Sequence, residues 1–126
     1  MLYICLRKLL IYMNSKEMIK EFSFLKSYNF KIKKYERNGD IELIFSNGTL
    51  IIELSCFLNI FFNYSVEVII THCGNRKNIF NCDFFNKGEL TELKKSIFCD
   101  TTSCSAQIKQ YADFIKNNID ILLEGK

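Results

Sequence analysis

The chain has 126 residues, of which 48% are apolar and 25% are charged. This length suits one domain, and the composition is that of an ordinary globular protein with enough apolar side chains for its own core. Aromatic residues make up 14% of the chain, which excludes a disordered polar polypeptide. The net charge of +3 is uneven, since residues 1–39 carry +6 and residues 40–126 carry −3.

The first 13 residues are predicted to be a loosely attached extension of a single α+β domain that spans residues 14–126. The opening stretch MLYICLRKLLIY is apolar, but Arg7 and Lys8 interrupt it. It is also shorter than the ~20 residues of a membrane-spanning helix, and no small-residue cleavage site follows it. Because no export signal is recognisable, we expect a cytoplasmic protein without membrane attachment, with its six cysteines as free thiols.

A first helix is predicted over about residues 15–27. Asn14 with Glu17 three residues later has the spacing of a capping box. Apolar residues then recur at helical spacing, at Met18, Ile19, Phe22 and Leu25.

Two Asn-Gly dipeptides, at 38–39 and 47–48, lie between runs of alternating apolar and polar residues. Asn-Gly is favoured in two-residue hairpin loops, because a type I′ turn needs a positive φ at both central positions. Strands are therefore predicted at about 30–37, 40–46 and 49–56. The first turn pairs Tyr35 with Glu42. The second, treated as another two-residue loop, pairs Phe45 with Leu50 and Glu42 with Glu53.

The alternation in these strands predicts one apolar sheet face and one mixed face. The apolar face collects Ile32, Ile41, Leu43, Phe45, Leu50, Ile52 and Leu54. The mixed face collects Lys31, Lys33, Tyr35, Glu42, Ile44, Ile51 and Glu53.

The remainder of the chain predicts two further strands and two further helices. A fourth strand at 65–72 directs Val66 inward and Glu67 outward, a turn follows at 72–76, and a short fifth strand covers 78–84. Asn86 with Glu89 indicates a second helix start, and the last helix covers about 104–122. The apolar segment 57–64 either extends the strands under the helices or forms an exposed anchor.

The expected fold is therefore α+β: an N-terminal helix, an antiparallel β-meander of four to five strands, and two C-terminal helices packed on one sheet face.

The residues that could carry chemistry are few, and we expect neither a metal nor a cofactor nor catalysis. Cysteine zinc ligands usually come in closely spaced pairs, and only Cys99 and Cys104 approach that spacing. His72 precedes Cys73 at a strand end, where successive side chains point to opposite faces. Phosphate-binding and hydrolase motifs are absent from the sequence.

A resemblance is carried by the run EFSFLKSYNFKIKKYERNGDIELIFSNGTLIIELS and by SVEVIITH. This run resembles small uncharacterised bacterial α/β proteins in which a helix ends in a phrase like Leu25, Tyr28 and Phe30 before a meander. Several such families are encoded beside polymorphic toxins and act as immunity proteins. The resemblance covers about residues 20–85. Those families usually have Gly where this chain has Asn29, and the resemblance implies no functional residues.

Three hypotheses follow. The first is a protein-binding module of the immunity type that meets its partner, a cognate toxin, through the mixed sheet face. Its predicted binding residues are Tyr35, Glu42, Ile44, Ile51, Glu53 and Glu67. The second is a nucleic-acid-associated accessory protein that uses Lys26, Lys31, Lys33, Lys34 and Arg37. The third is a small enzyme that uses Cys and His, or the facing carboxylates Glu42 and Glu53.

Overall fold

The computed structural model describes residues 15–58, 64–100 and 103–124. The predictions for residues 1–14, including the capping role of Asn14, lie outside these ranges. The chain is α+β, as predicted, with a five-stranded antiparallel sheet and helices before and after it.

The sheet is a meander in which each strand pairs with its neighbour in sequence. Its strands are β1 (Lys31–Arg37), β2 (Asp40–Ser46), β3 (Ile51–Leu58), β4 (Tyr64–His72) and β5 (Asn75–Asn78).

The N-terminal helix is shorter than predicted. Helix α1 (Ser15–Glu21) gives way to a 3₁₀ helix over Ser23–Tyr28. The change occurs at Phe22, whose backbone N–H is shared between the carbonyls of Met18 (3.3 Å) and Ile19 (3.2 Å). Such a shared bond tightens the last turn toward the i→i+3 pattern, which the 3₁₀ helix then continues.

The first hairpin confirms its prediction. Asn38 and Gly39 have φ values of 52° and 89°, as a type I′ turn requires. Arg37 pairs with Asp40, and Tyr35 pairs with Glu42.

The second hairpin contradicts its prediction, because its loop has four residues, 47–50, instead of two. The Asn47 side-chain oxygen accepts the backbone N–H of Leu50 at 2.9 Å and that of Thr49 at 3.2 Å. The Asn47 side-chain oxygen thus accepts backbone hydrogen bonds inside the loop, as in an Asx turn. Within the dipeptide, Gly48 has a positive φ (98°) and Asn47 does not.

The consequence is a shift of two residues in the β2–β3 register. Phe45 pairs with Ile52 instead of Leu50, and Glu42 pairs with Ser55 instead of Glu53. Because side chains alternate with a period of two, a shift of two leaves every side chain on its predicted face. The pairing prediction was wrong, but the two faces are as predicted.

The fifth strand also lies elsewhere than predicted. It covers Asn75–Asn78 and not 78–84, and the predicted turn over 72–76 reduces to Cys73 and Gly74, with φ values of 53° and 81°. Residues 79–81 form a 3₁₀ turn, in which the Asn78 side chain accepts the N–H of Phe80 at 3.0 Å.

Two predicted helices follow the sheet. Helix α2 (Lys87–Lys95) begins at the predicted cap, since the Asn86 side chain accepts the N–H of Glu89 at 3.0 Å. A π-helical turn covers Ser96–Asp100. The last predicted helix is two helices, α3 (Cys104–Asn117) and α4 (Ile119–Leu123), separated at Asn118.

Helix α1 contacts β2 and helix α3 contacts β4, both on the apolar face of the sheet. The ring of Phe22 lies 5.2 Å from that of Phe45, and the Tyr111 hydroxyl donates to the Val66 carbonyl at 3.5 Å. The central side chains of this face, including Leu43 and Ile52, are fully buried. The opposite face is called the outer face below.

Candidate partner-binding face

All six residues predicted to bind a partner lie on the outer face, and the strand pairing arranges them in rows. One row runs from Tyr35 through Glu42 and Ser55 to Glu67. The next runs through Ile44 and Glu53 to Ile69. Ile51 lies at the sheet end beyond these rows, beside Ser46 and Thr71.

The register shift corrects one chemical prediction. Glu42 and Glu53 do not face each other, because Glu53 lies between Ile44 and Ile69. Glu42 and Glu67 share a row, but β3 separates them, which places their backbones about 9–10 Å apart. The facing carboxylates suggested for an acid–base pair are therefore not formed.

An ion pair organises the centre of the outer face. Arg76 on β5 reaches across β4 to Glu53 on β3, with Nε 3.0 Å from Oε2 and Nη2 3.3 Å from Oε1. The hydrogen bonds and charge of Glu53 raise the pKa of Arg76, and the charges of Glu67 and Glu42 raise it further. The arginine therefore lies in the field of three carboxylates.

The other two carboxylates are less engaged than Glu53. Glu67 accepts a long hydrogen bond of 3.5 Å from the side-chain amide of Asn78. Glu42 has no ion pair with a residue in the described ranges. The centre of the outer face thus holds an excess of negative charge.

Positive charge lies along the β1 edge. Lys31, Lys33 and Arg37 are on the outer face, opposite Ser46, Ile44 and Asp40 respectively. Lys34 alternates to the other face, and Lys26 lies in the 3₁₀ helix before the sheet. Of the five cations named for nucleic-acid binding, the structure therefore places three on the outer face.

A groove of about 530 Å³ runs along this edge. It brings together three of the predicted residues, Tyr35, Ile44 and Ile51. Its other walls include Lys31 and Lys33, which the sequence assigned to nucleic-acid binding and not to the partner-binding set, and the loop around Asn47, which was in neither set. The β1–β2 register, which was predicted correctly, already places Lys33 opposite Ile44.

Two aromatic side chains extend the apolar surface of the outer face. Tyr35 is 55% exposed and Phe57 is 40% exposed. Phe57 and Leu58 continue β3, and Tyr64 begins β4, so both ends of the apolar segment 57–64 extend the strands. Residues 59–63 lie outside the described ranges.

The described residues include His72 and Cys73, which were considered for thiol chemistry, and Cys104, which was considered for zinc. Within residues 15–58, 64–100 and 103–124, no group of three or more His, Cys, Asp or Glu side chains could hold a metal ion. His72 stacks on Phe84 with 4.4 Å between ring centroids, and its Nε2 is buried without a hydrogen-bond partner in those ranges. Cys73 is exposed in the turn that follows.

In the part of the chain that the structure describes, no helix combines the length and apolar character needed to cross a membrane. Comparison with protein-family models, with curated proteins and with solved structures gives no match to this chain.

Proposed function

We propose that this chain is a protein-binding module, an immunity-type inhibitor, which holds its partner on the outer face of the sheet. The observation that carries the proposal is the composition of that face. Acidic side chains at its centre are interleaved with Ile44, Ile51 and Ile69, and Tyr35 and Phe57 are exposed at its borders.

The chemistry of the face defines the kind of partner that fits it. Exposed aromatic and aliphatic side chains supply the surface that is buried on association. The carboxylates of Glu42 and Glu67 favour a positively charged counterpart, and such complementarity also speeds encounter between two proteins. We therefore propose a partner with a basic surface, such as the active site of a toxin that acts on an anionic substrate.

Inhibition of this kind needs a stable scaffold and no catalytic group. The sheet provides the scaffold, because its opposite face is locked into the helices by buried side chains such as Phe45 and Leu43. The outer face offers charge and apolar surface but no facing pair of carboxylates. This composition suits a protein that blocks its partner by binding it and performs no catalysis.

The test uses two charge reversals on the same sheet. Glu42→Lys changes the centre of the outer face, and Glu36→Lys makes the same change of charge at an exposed position one strand away, on the other face. Proteins captured by the tagged wild-type chain from its native cells are identified, and their affinity for each variant is measured. We expect Glu42→Lys to weaken binding at least tenfold and Glu36→Lys to leave it within twofold.

The inhibitor function has its own readout, which is growth of cells that express the captured partner with and without this chain. We expect the partner alone to arrest growth and co-expression to restore it. If the captured partner binds through Glu42 but does not arrest growth, the outer face is the binding site and the inhibitor function is refuted. If both variants bind the partner equally well, the assignment of the binding site to the outer face is refuted.

A second function has one observation in its favour. Lys31 and Lys33 line a groove beside Tyr35, and cations next to an exposed aromatic ring are typical of single-stranded nucleic-acid sites. We propose as the alternative that this groove binds a nucleic-acid strand. A gel shift at ~50 mM salt that disappears in Lys31→Glu would support it, and no shift at that salt would remove it.

A further inference from the structure

Two thiols from distant parts of the chain meet between the sheet and the helices. Cys56 lies on the apolar face of β3 and is 1% exposed, and Cys104 is the first residue of α3 and is 8% exposed. Their Sγ atoms are 3.0 Å apart. We propose that Cys56 and Cys104 form a redox-active dithiol that closes to a disulfide when it meets a low-molecular-weight disulfide such as glutathione disulfide. The proposal uses none of the outer-face residues and does not depend on the proposed function.

The geometry places both sulfurs where a disulfide needs them. A disulfide bond is about 2.05 Å long, so closure requires an approach of only about 1 Å. Cys56 is held in a strand that is paired on both sides, opposite Ile41 and Val66. Cys104 is held by α3, which is anchored by fully buried residues such as Ile108 and Ile115. Both cysteines are thus positioned by strand pairing and helix packing around them.

The two thiols differ in their environments. The hydrogen bond with Cys56 lowers the pKa of Cys104, although burial opposes this effect. Cys104 also lies in the first turn of a 14-residue helix, and helix N-termini favour the thiolate. The pKa of Cys56 is raised by its hydrogen bond with Cys104 and by its burial. Cys104 is therefore the attacking thiolate, and Cys56 is the thiol that completes the bond.

The reaction consists of two thiol–disulfide exchanges. The Cys104 thiolate attacks one sulfur of glutathione disulfide, which forms a mixed disulfide and releases one glutathione thiolate. Cys56 then loses its proton and attacks the Cys104 sulfur, which releases the second glutathione thiolate. The two protons from the cysteines end on the two glutathione molecules. The protein is oxidised by two electrons, and the glutathione disulfide is reduced by two.

Two other described cysteines have different surroundings from this pair. Cys82 is buried and its thiol lies 3.6 Å from the Asn78 carbonyl, and burial raises its pKa to about 11. Cys73 is exposed in the β4–β5 turn. Cys73→Ser therefore serves as the matched control that removes a thiol without touching the pair.

The effect on stability follows from the length of chain that the bond encloses. Cys56 and Cys104 are 48 positions apart. A link across a loop of this length removes a large part of the conformational freedom of the unfolded chain. We expect the oxidised protein to melt at least about 10 °C above the reduced protein, and dithiothreitol to reverse the shift.

The experiment equilibrates the purified full-length chain in reduced and oxidised glutathione at a series of ratios. Free thiols are then blocked with a maleimide, and the protein is digested and mapped by mass spectrometry. We expect a linked peptide that joins Cys56 to Cys104 in the wild type and in Cys73→Ser. The Cys56→Ala variant should accumulate glutathione on Cys104, whereas Cys104→Ala should carry none on Cys56.

Two outcomes would overturn the proposal. One is a wild-type protein that stays folded by circular dichroism but yields no peptide linked through these two residues at any ratio. The other is a linked peptide that joins Cys56 or Cys104 to a different cysteine. Because both outcomes are read in the wild type, the test stands even where an alanine variant fails to fold.

Discussion

The side chain of Asn47 accepts the hydrogen bonds that hold the loop between β2 and β3. The loss of unfolding free energy on its removal can be worked out from these contacts. In Asn47→Ala the N–H of Leu50 loses its 2.9 Å acceptor in a partly buried position. An unsatisfied buried donor costs about 1–3 kcal/mol. Thr49 loses two bonds to the same oxygen, but these are exposed and water replaces them.

We therefore expect Asn47→Ala to lower the free energy of unfolding by about 1–2 kcal/mol, near the lower end of that range because the site is only partly buried. For a domain of this size the melting temperature should fall by about 3–10 °C. Urea titration followed by circular dichroism measures the free energy. Backbone NOEs across β2 and β3 show whether Phe45 still pairs with Ile52.

Two controls accompany this variant. Asn47→Asp keeps a side-chain oxygen at the same place and should lose less than about half of that free energy. Asn81→Ala removes the same atoms at an exposed position and should be close to neutral. If Asn47→Ala were no less stable than Asn81→Ala, the inference that this side chain determines the loop and the register would be refuted.

Three further predictions concern the same sheet and the core above it. Gly48→Ala should destabilise the protein by about 1–2 kcal/mol in urea titration. The cost comes from the backbone, because φ is 98° and no atom lies within 4 Å of the added Cβ to clash with it. A variant as stable as the wild type would contradict this conformational cost. A double-mutant cycle of Arg76→Ala and Glu53→Ala should give a favourable coupling energy that shrinks in high salt, since the arginine is mostly exposed. A coupling energy independent of salt would argue against an ion pair. Burial raises the pKa of Tyr111, so above pH ~10 this tyrosine ionises more readily in the unfolded chain than in the folded protein. The free energy of unfolding should therefore fall by up to about 1.4 kcal/mol per pH unit in that range. Tyr111→Phe should show a smaller fall with pH, and an equal fall in the wild type and the variant would refute the prediction.

The two Asn-Gly dipeptides show how far sequence determines this fold. At 38–39 both residues adopt a positive φ, and the register follows from the dipeptide alone. At 47–48 the Asn side chain instead bonds to backbone two and three residues ahead, which enlarges the loop. The same dipeptide therefore occurs in two different turns of this chain. The faces were predictable because alternation survives a shift of two residues.

Other features could not be predicted because they depend on contacts between distant segments. A turn was predicted over 72–76, but its confinement to Cys73-Gly74 was not, because cysteine rarely occupies a left-handed position and the dipeptide is not typical of a two-residue hairpin loop. The bridge from Arg76 to Glu53 needs the position of β5, which the sequence pattern placed several residues too late. The approach of Cys56 to Cys104 needs the helix layer as well as the sheet.

The sequential order of the strands has a consequence for how the chain finds its native state. Two, four, five and two residues separate successive strands, so each strand meets its partner within a short stretch of chain. The entropy lost in closing such short loops is small, and proteins rich in local pairings fold faster than those that must first join distant segments. Pairing within the sheet is therefore local in sequence, whereas the contact of α3 with β4 joins distant segments and carries the larger cost in loop closure.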